Sequence, residues 1–595
     1  MDAKERIIEA LTKALKDLGI EGAEPVLERP TDMAHGDYAT NVAMVAYARW
    51  NVRARQGAMK QVEELGLPAL SKQEFKASSI GVLVKEQHFK SPKDLAEKIV
   101  EKISKLGFVE KIEIAGPGFI NFHLTKEHFL ESLKNIDADY GKGNELKGKT
   151  VLVEYTQPNI LKPFHIGHLM SNAIGESLSR LIENAGADVK RLNYQGDVGL
   201  HVAKALWGIK KFGSIDLGDI YALGMAYAHG AQAYESDEKL KAEIDELNKK
   251  IYERDPEILE LYEAGKKTSL TRFEELYTLL GTKFDKYYLE SEVFERGIDL
   301  VKEGQEKGIF KESDGAVVFP GEEYGLHTRV FLTSKGLPVY EAKELGLGEL
   351  KAKDFSFDTS ITITAVEQAQ YFEVVFKAMG LLRPELAGRF THVSHGMMQL
   401  LGKKMSSRLG NAITGDSLIT GLIEEVNEKM GERVPEDQKQ SVSQDVGVAA
   451  IKYSVLRQAL NKNIIFDEEK SLSFEGDSGP YMQYTAVRAR SIGVKAKDAG
   501  IKPSFDNTPE EIGLLEKMLE RFPEVAARAA EEYEPHHVAT YGIELASAFN
   551  SFYAQEHIVN ADDSLSPYRV ALTEAVATTL ARVLWLLGIR VPQAM

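Results

Sequence analysis

The chain has 595 residues, 43% of them hydrophobic and 27% charged, with a formal net charge of −17 and no cysteine. That length predicts two to four domains, and the composition is that of an ordinary soluble globular protein. The missing thiols exclude disulfides, thiolate catalysis and cysteine-ligated zinc, and the acidic balance argues against a nucleic-acid partner unless a local basic face overrides it.

The first segment, MDAKERIIEALTKALKDLGI, sets Ile7, Ile8, Leu11, Leu15 and Leu18 at helical spacing. Acidic residues interrupt it, so it predicts an amphipathic helix and not a leader peptide. No apolar run is long enough to cross a bilayer, so no membrane partner and a cytoplasmic location are expected. The stretch 51–90 is weakly periodic and predicts a surface insertion. KIEIAGPGFINFHL places Ile112, Ile114, Phe119, Ile120 and Phe122 in two strands broken at Gly116-Pro117-Gly118. Residues 1–138 therefore read as an α+β domain. DYGKGNELKGKT, 139–150, is polar and glycine-bearing and predicts a linker.

TVLVEY then predicts a strand, HIGHLMSNAIGESLSRLIENAG a helix ending at Gly186, and DVKRLNYQGD the next strand. This β-α-β order predicts a parallel, doubly wound, Rossmann-like α/β domain over 139–440. Within it, residues from about 203 to 310 predict a charged, solvated helical insertion. Strand patterns return at GAVVFP, RVFLTS and SITITAV, and 441–595 predict an all-helical domain.

Two motifs carry chemistry. His165-Ile166-Gly167-His168 sits where a helix opens after the first strand of the α/β domain. The two histidines have neither a cysteine nor a third ligand nearby, so no metal site is expected; packing of a tight strand-to-helix turn is the bland alternative. A helix N-terminus in this place is a ready anion site, and imidazoles can donate to phosphoryl oxygens that gain charge. A second cationic arm is available in GKKMSSRLGN, 402–411, which alone would read as a solvated basic loop.

Together, HIGH and KMSSR resemble the signature pair of class I aminoacyl-tRNA synthetases. The flanking VEYTQPNILKPFHIGHLMSN, HGDYATNVA (35–43), GPGFINFHL (116–124), SHGMMQLLGKKMSSRLGN (394–411) and GPYMQYTAVRARSI (479–492) resemble arginyl-tRNA synthetases specifically. The resemblance spans the chain in family order. It implies a tRNA-elbow-binding domain over 1–138, the catalytic domain over 139–440 and an anticodon-binding domain over 441–595. It also implies ATP with Mg²⁺, L-arginine and its tRNA as partners, and a monomer. A non-catalytic tRNA-binding relative is the alternative, and the presence of both signatures argues against it.

By the same resemblance, His165, Gly167, His168, Lys404, Met405 and Ser406 bind ATP, and His165, His168, Lys404 and Lys162 are catalytic. Glu154, Gln157, Asn159, Tyr340, Glu344 and Gln368 hold arginine, with Gln370 the alternative to Gln368. Where the family has Arg-Asp after its substrate tyrosine, this chain has Lys343-Glu344, which keeps the acid and lengthens its arm. Where the general signature has a second lysine, this chain has Ser407. The missing charge is expected from Lys162, with Lys403 and Arg408 as the other candidates. Tyr481, Tyr484 and Arg488, three and four residues apart on one helix face, are expected to meet tRNA.

Overall fold

The helix Ala3–Asp17 buries Ile7, Leu11, Ala14 and Leu15, which is the stripe its spacing predicts. It belongs to the first of two units in the computed structural model, which describes residues 3–30, 32–50, 52, 89–401, 414–430 and 434–595. This unit comprises Met1–Asn135 with Thr508–Glu520. Its sheet runs in the order β1 (Tyr38–Thr40), β3 (Phe119–Leu124), β2 (Val109–Ala115), all antiparallel. The β2–β3 turn falls at the expected glycines, Gly116 and Gly118, both at positive φ. In HGDYATN, Tyr38 is core, and Asp37 accepts the Leu124 N–H at 2.8 Å and pairs with Lys517 at 3.0 Å. Most of the stretch predicted as a surface insertion, 53–88, lies outside the described residues.

The second unit, Ile136–Asn507 with Arg521–Met595, holds a five-stranded sheet. Its strands are β4 (Thr150–Glu154), β5 (Asp188–Gln195), β6 (Lys286–Leu289), β10 (Thr359–Ala365) and β11 (Phe390–His395), in the order β11-β10-β4-β5-β6 and parallel throughout. The α/β expectation holds, and β4 is a run buried on both faces, as parallel strands are. From β4 the chain goes to β5 on one side and returns to β10 on the other, so the sheet switches direction between β4 and β10. A crevice opens at such a point, beyond the carboxyl ends of the strands.

The structure adds detail to four segments of the sequence reading. GAVVFP and RVFLTS form strands as expected, and they do so apart from the parallel sheet: β8 (Ala316–Phe319) and β9 (Arg329–Leu332) pair with β7 (Lys311–Ser313) in a small antiparallel sheet. The stretch 203–310 is helical except for β6, a four-residue edge strand whose short pattern is swamped by the charged helices around it. Residues 139–150 are tied down along their course: Gly143 and Leu146 donate backbone N–H groups to Asn184 O and Ala185 O, capping the carbonyl end of the helix Ile166–Asn184.

The helix after β4, Ile166–Asn184, is buried almost all round. Beyond the sheet it meets the C-terminal helices: Ser177 Oγ donates to Leu586 O at 2.9 Å and Arg180 to Trp585 O at 2.9 Å. Lys452, wholly buried on the helix Glu436–Leu456, donates to two helix-terminal carbonyls, Leu280 O and Gly588 O, each at 2.7 Å.

Candidate active site

Segment 155–161 leaves β4 in a strained course. Thr156, Gln157 and Leu161 have φ of 80°, 45° and 59°, a region a β-branched residue rarely enters. Hydrogen bonds hold it there: Thr156 N–H to Ser171 Oγ at 3.0 Å, Ile160 N–H to Gly196 O at 3.0 Å, and Leu161 N–H to Ser269 Oγ at 2.8 Å. Gly196 is required by proximity, since a Cβ there would lie 2.1 Å from Asn159 Oδ1. The strain turns Gln157 and Asn159 toward a cavity of about 450 Å³ at the carboxyl ends of the sheet.

At one end of the cavity the helix Ile166–Asn184 begins. His165 is its N-cap: His165 Nδ1 accepts the His168 N–H at 3.2 Å, and His168 Nδ1 accepts the His165 N–H at 3.3 Å. The rings stack with centroids 3.4 Å apart. A stacked pair of imidazolium ions would repel, and both rings are held neutral. Surrounding protein, then the Lys162 charge, lowers His165 to about 4, and burial, then His165 and Lys162, holds His168 well below the usual range. With each Nδ1 accepting, the proton of each neutral ring sits on Nε2. The HIGH turn thus offers two fixed Nε2–H donors at a helix N-terminus, suited to phosphate oxygens. Gly167 lines the wall between them.

The other end is acidic and buried. Lys343 pairs with Glu290 at 2.7 Å, both almost wholly buried, and Arg329 with Glu341 at 3.3 Å. Glu344 lines the cavity; burial, then the Glu154 carboxylate, hold its carboxyl up, to about 8. Tyr340 and Gln368 complete the wall, and Gln370 is not on it. Glu154 was expected on the substrate, but it lies behind the wall with no exposed surface. Its Oε1 accepts from Gln157 Nε2 at 2.7 Å, and its Oε2 is paired with the buried Lys351.

Lys162 is off the wall too, its ammonium 4.8 Å from the Tyr227 ring centre. Lys404, Met405 and Ser406, with Lys403, Ser407 and Arg408, lie outside the described residues. Elsewhere in the second unit Tyr481, Tyr484 and Arg488 do gather. The Arg488 guanidinium lies 4.5 Å from the Tyr484 ring centre and donates to Asn550 Oδ1 at 2.7 Å, while Asn550 Nδ2 donates to Tyr481 Oη at 2.9 Å.

Three family models match in order: an arginyl-tRNA synthetase N-terminal domain over residues 3–124, the catalytic domain of class I tRNA synthetases (R) over 132–468, and a DALR anticodon-binding domain over 482–595. The chain is 34% identical to an arginine–tRNA ligase of Clostridium acetobutylicum over 85% of its own length and 91% of the relative's. It is 32% identical to one of Clostridium botulinum over the whole of both chains. The chain belongs to the arginyl-tRNA synthetase family. The activity of the family is arginine–tRNA ligation driven by ATP. Its fold is that of the arginyl-tRNA synthetase of Thermus thermophilus, with a TM-score of 0.76 at 24% identity, and that of Plasmodium falciparum, with 0.75 at 20%, each covering 99% or more of both chains.

Sequence reasoning missed members of both side-chain clusters. Glu290 needed β6 to be recognised, because it directly follows that strand. Lys351 had a visible signal: it stands seven residues from Glu344, two turns along the same helix. Asn550 and the half-exposed Tyr553, whose ring centre is 5.1 Å from Arg488, had none, since more than sixty residues separate them from Arg488.

Proposed function

We propose that the cavity activates L-arginine with ATP, giving arginyl-adenylate and pyrophosphate, and then passes the arginyl group to the terminal adenosine of its tRNA. The observation that carries this reading is the polarity of the cavity, with two neutral Nε2–H donors at a helix N-terminus at one end and, at the other, Glu344, a carboxyl with no ion-pair partner among the described residues. A triphosphate fits the first and a guanidinium the second.

In this reading His165 and His168 donate to the ATP phosphates, and Gly167 leaves room for adenine. Lys404, Met405 and Ser406 bind the nucleotide, with Lys404 neutralising its phosphates, and Lys162 swings from Tyr227 to meet the departing pyrophosphate. Asn159 and Gln157 take the α-amino end of arginine, Tyr340 and Gln368 flank its chain, and Glu344 meets the guanidinium with Glu154 adding negative charge from behind. The arginine carboxylate attacks the α-phosphorus in line, so the protein's task is positioning and charge stabilisation. Mg²⁺ would arrive on the ATP phosphates; among the described residues no cluster of three or more carboxylates or imidazoles offers a separate cage. Tyr481, Tyr484 and Arg488 offer flat faces and charge to unstacked anticodon-loop bases. The division into an elbow-binding domain over 1–138, a catalytic domain over 139–440 and an anticodon-binding domain over 441–595, a monomeric state and a cytoplasmic location belong to the same proposal. Among the described residues no helix is long and apolar enough to cross a membrane.

ATP–pyrophosphate exchange driven by arginine, run with and without tRNA, tests the reading. Exchange that requires tRNA is expected, as tRNA docking completes the site. Absence of exchange and of charging with arginine under both conditions would overturn it.

A further inference from the structure

The helix Tyr340–Asp354 turns one face toward the acidic end of the cavity. Along that face stand Glu344, Gly348 and Lys351, at intervals of four and three residues. Gly348 leaves a gap between the two charged side chains, and a Cβ there would meet Met379 Cε at 2.6 Å. Glu344, Gly348 and Lys351 line a small second cavity with Thr362 and the apolar Val375, Phe376, Met379 and Phe390. The Lys351 side chain is 2% exposed and that of Glu154 0%. An ammonium so enclosed has little water to solvate it, and its partner is Glu154 Oε2, the oxygen that Gln157 leaves free.

The charges around this end therefore sort into pairs: Glu154 with Lys351, Glu290 with Lys343, and Glu341 with Arg329. Among the described residues, Glu344 is the cavity-lining carboxyl of this group with no cation bonded to it. Removing one partner of a buried pair exposes the other's charge to its neighbours, so Lys351 controls how much negative charge Glu344 feels from Glu154.

We propose that Lys351 is a positioning residue of the arginine pocket: by holding Glu154 it leaves Glu344 as the one carboxylate that meets the guanidinium, which sets this end of the cavity for a single cation. The proposal rests on the arginine-activation reading above and deepens it.

The groups that face Glu344 come from every surrounding element. They are Glu154 from β4, Lys343 and Lys351 from its own helix, Glu290 from the helix Glu290–Glu306, Tyr194 from β5 and Tyr371 from the helix Ala369–Leu382. Burial and Glu154 push the carboxyl up, while Lys351 pulls it down. Glu344 is consequently protonated in much of the unliganded protein at neutral pH, whereas a guanidinium stays charged throughout. Arginine binding must then expel a proton, and affinity rises with pH, about tenfold per unit, until the carboxyl is ionised in the free protein.

The test follows arginine across pH 6 to 9 in the full chain with tRNA present. Its readouts are KM for arginine in tRNA charging with ATP and, by calorimetry with ATP left out so that no turnover occurs, in buffers of different ionisation heat, protons released on binding. For the unaltered protein a release approaching one proton at pH 7 is expected. Lys351→Met should move the midpoint of the arginine profile upward and leave KM for ATP in place, and Lys351→Arg should restore the midpoint. Glu154→Gln with Lys351→Met removes the buried pair as a whole, which such sites tolerate, and so keeps the test open if the single variant fails to fold. Because Glu154 outweighs Lys351 at Glu344, the double variant should move the midpoint downward. An unmoved midpoint, a shift of the same sign in both variants, or no proton released by the unaltered protein would overturn the role of Lys351. Failure of the unaltered protein to bind or charge arginine at any pH would instead overturn the reading on which it rests.

Discussion

The two ends of the cavity obtain their order by opposite means. At the histidine end, two imidazoles fix each other through backbone caps and stacking, and they present neutral N–H donors at a helix terminus. At the acidic end, order comes from buried ion pairs that, among the described residues, leave Glu344 with no cation bonded to it. The lesson is one of economy in charge. In the proposed reading, a ligand with several negative charges meets helix-terminal N–H dipoles, while a ligand with one positive charge meets one carboxyl in a dry wall.

Four outcomes would break or sharpen this comparison. Glu344→Gln should have the largest effect, about 2–5 kcal/mol of lost arginine binding, as for a buried charge deprived of its partner. KM for arginine would then rise by between about thirty-fold and a few thousand-fold, and an equal rise in KM for ATP would erase the distinction between the two ends. Next comes Lys162→Ala, expected to slow adenylate formation by about 10²–10³ with tRNA affinity unchanged, the size of one lost transition-state donor. A lysine at Ser407 in that background should recover part of the rate. If Arg408→Ala has the effect instead, the loop supplies the charge.

Tyr484→Ala should weaken tRNA by about 1–3 kcal/mol, the worth of one stacked base, leaving KM for arginine and ATP as they were. A change in all three would make the tyrosine part of the core. The smallest effect concerns acid stability. A histidine titrates near 6.5 in an unfolded chain, whereas His165 is lowered to about 4 and His168 lies well below its ordinary value. The folded state binds fewer protons in that window, so their contribution is complete above pH 6.5 and is lost as pH falls toward 4. Thermal melts of a His165→Asn, His168→Asn variant should show a shallower fall in Tm between pH 6.5 and 4 than the unaltered chain, and parallel curves would contradict the neutral pair.

Much of this was legible in the sequence where a local pattern and a local structure coincide. The helix after β4, its histidine cap and the two strands around Gly116–Gly118 are all short-range features. Glu344 was legible as an acid four residues from Tyr340, and the structure puts both on the cavity wall. What escaped was long-range. Glu154 stands at the end of a strand, where nothing local says that a lysine almost two hundred residues later will occupy it. β6 is too short to outvote its helical neighbours, and the strands at 316–319 and 329–332 carry no mark of which sheet they join.

Lys452 bears on how the chain is made. One of its two acceptors, Gly588 O, comes 136 residues later. At ribosomal speeds of about 5–20 residues per second, roughly ten seconds separate the two during synthesis. For that interval the lysine has half its final partners, while the helix Ile166–Asn184 waits for Trp585 and Leu586. The catalytic sheet is thus assembled early and sealed late, and a nascent chain stalled before residue 588 should be far more open to proteolysis than its nearly complete length would imply.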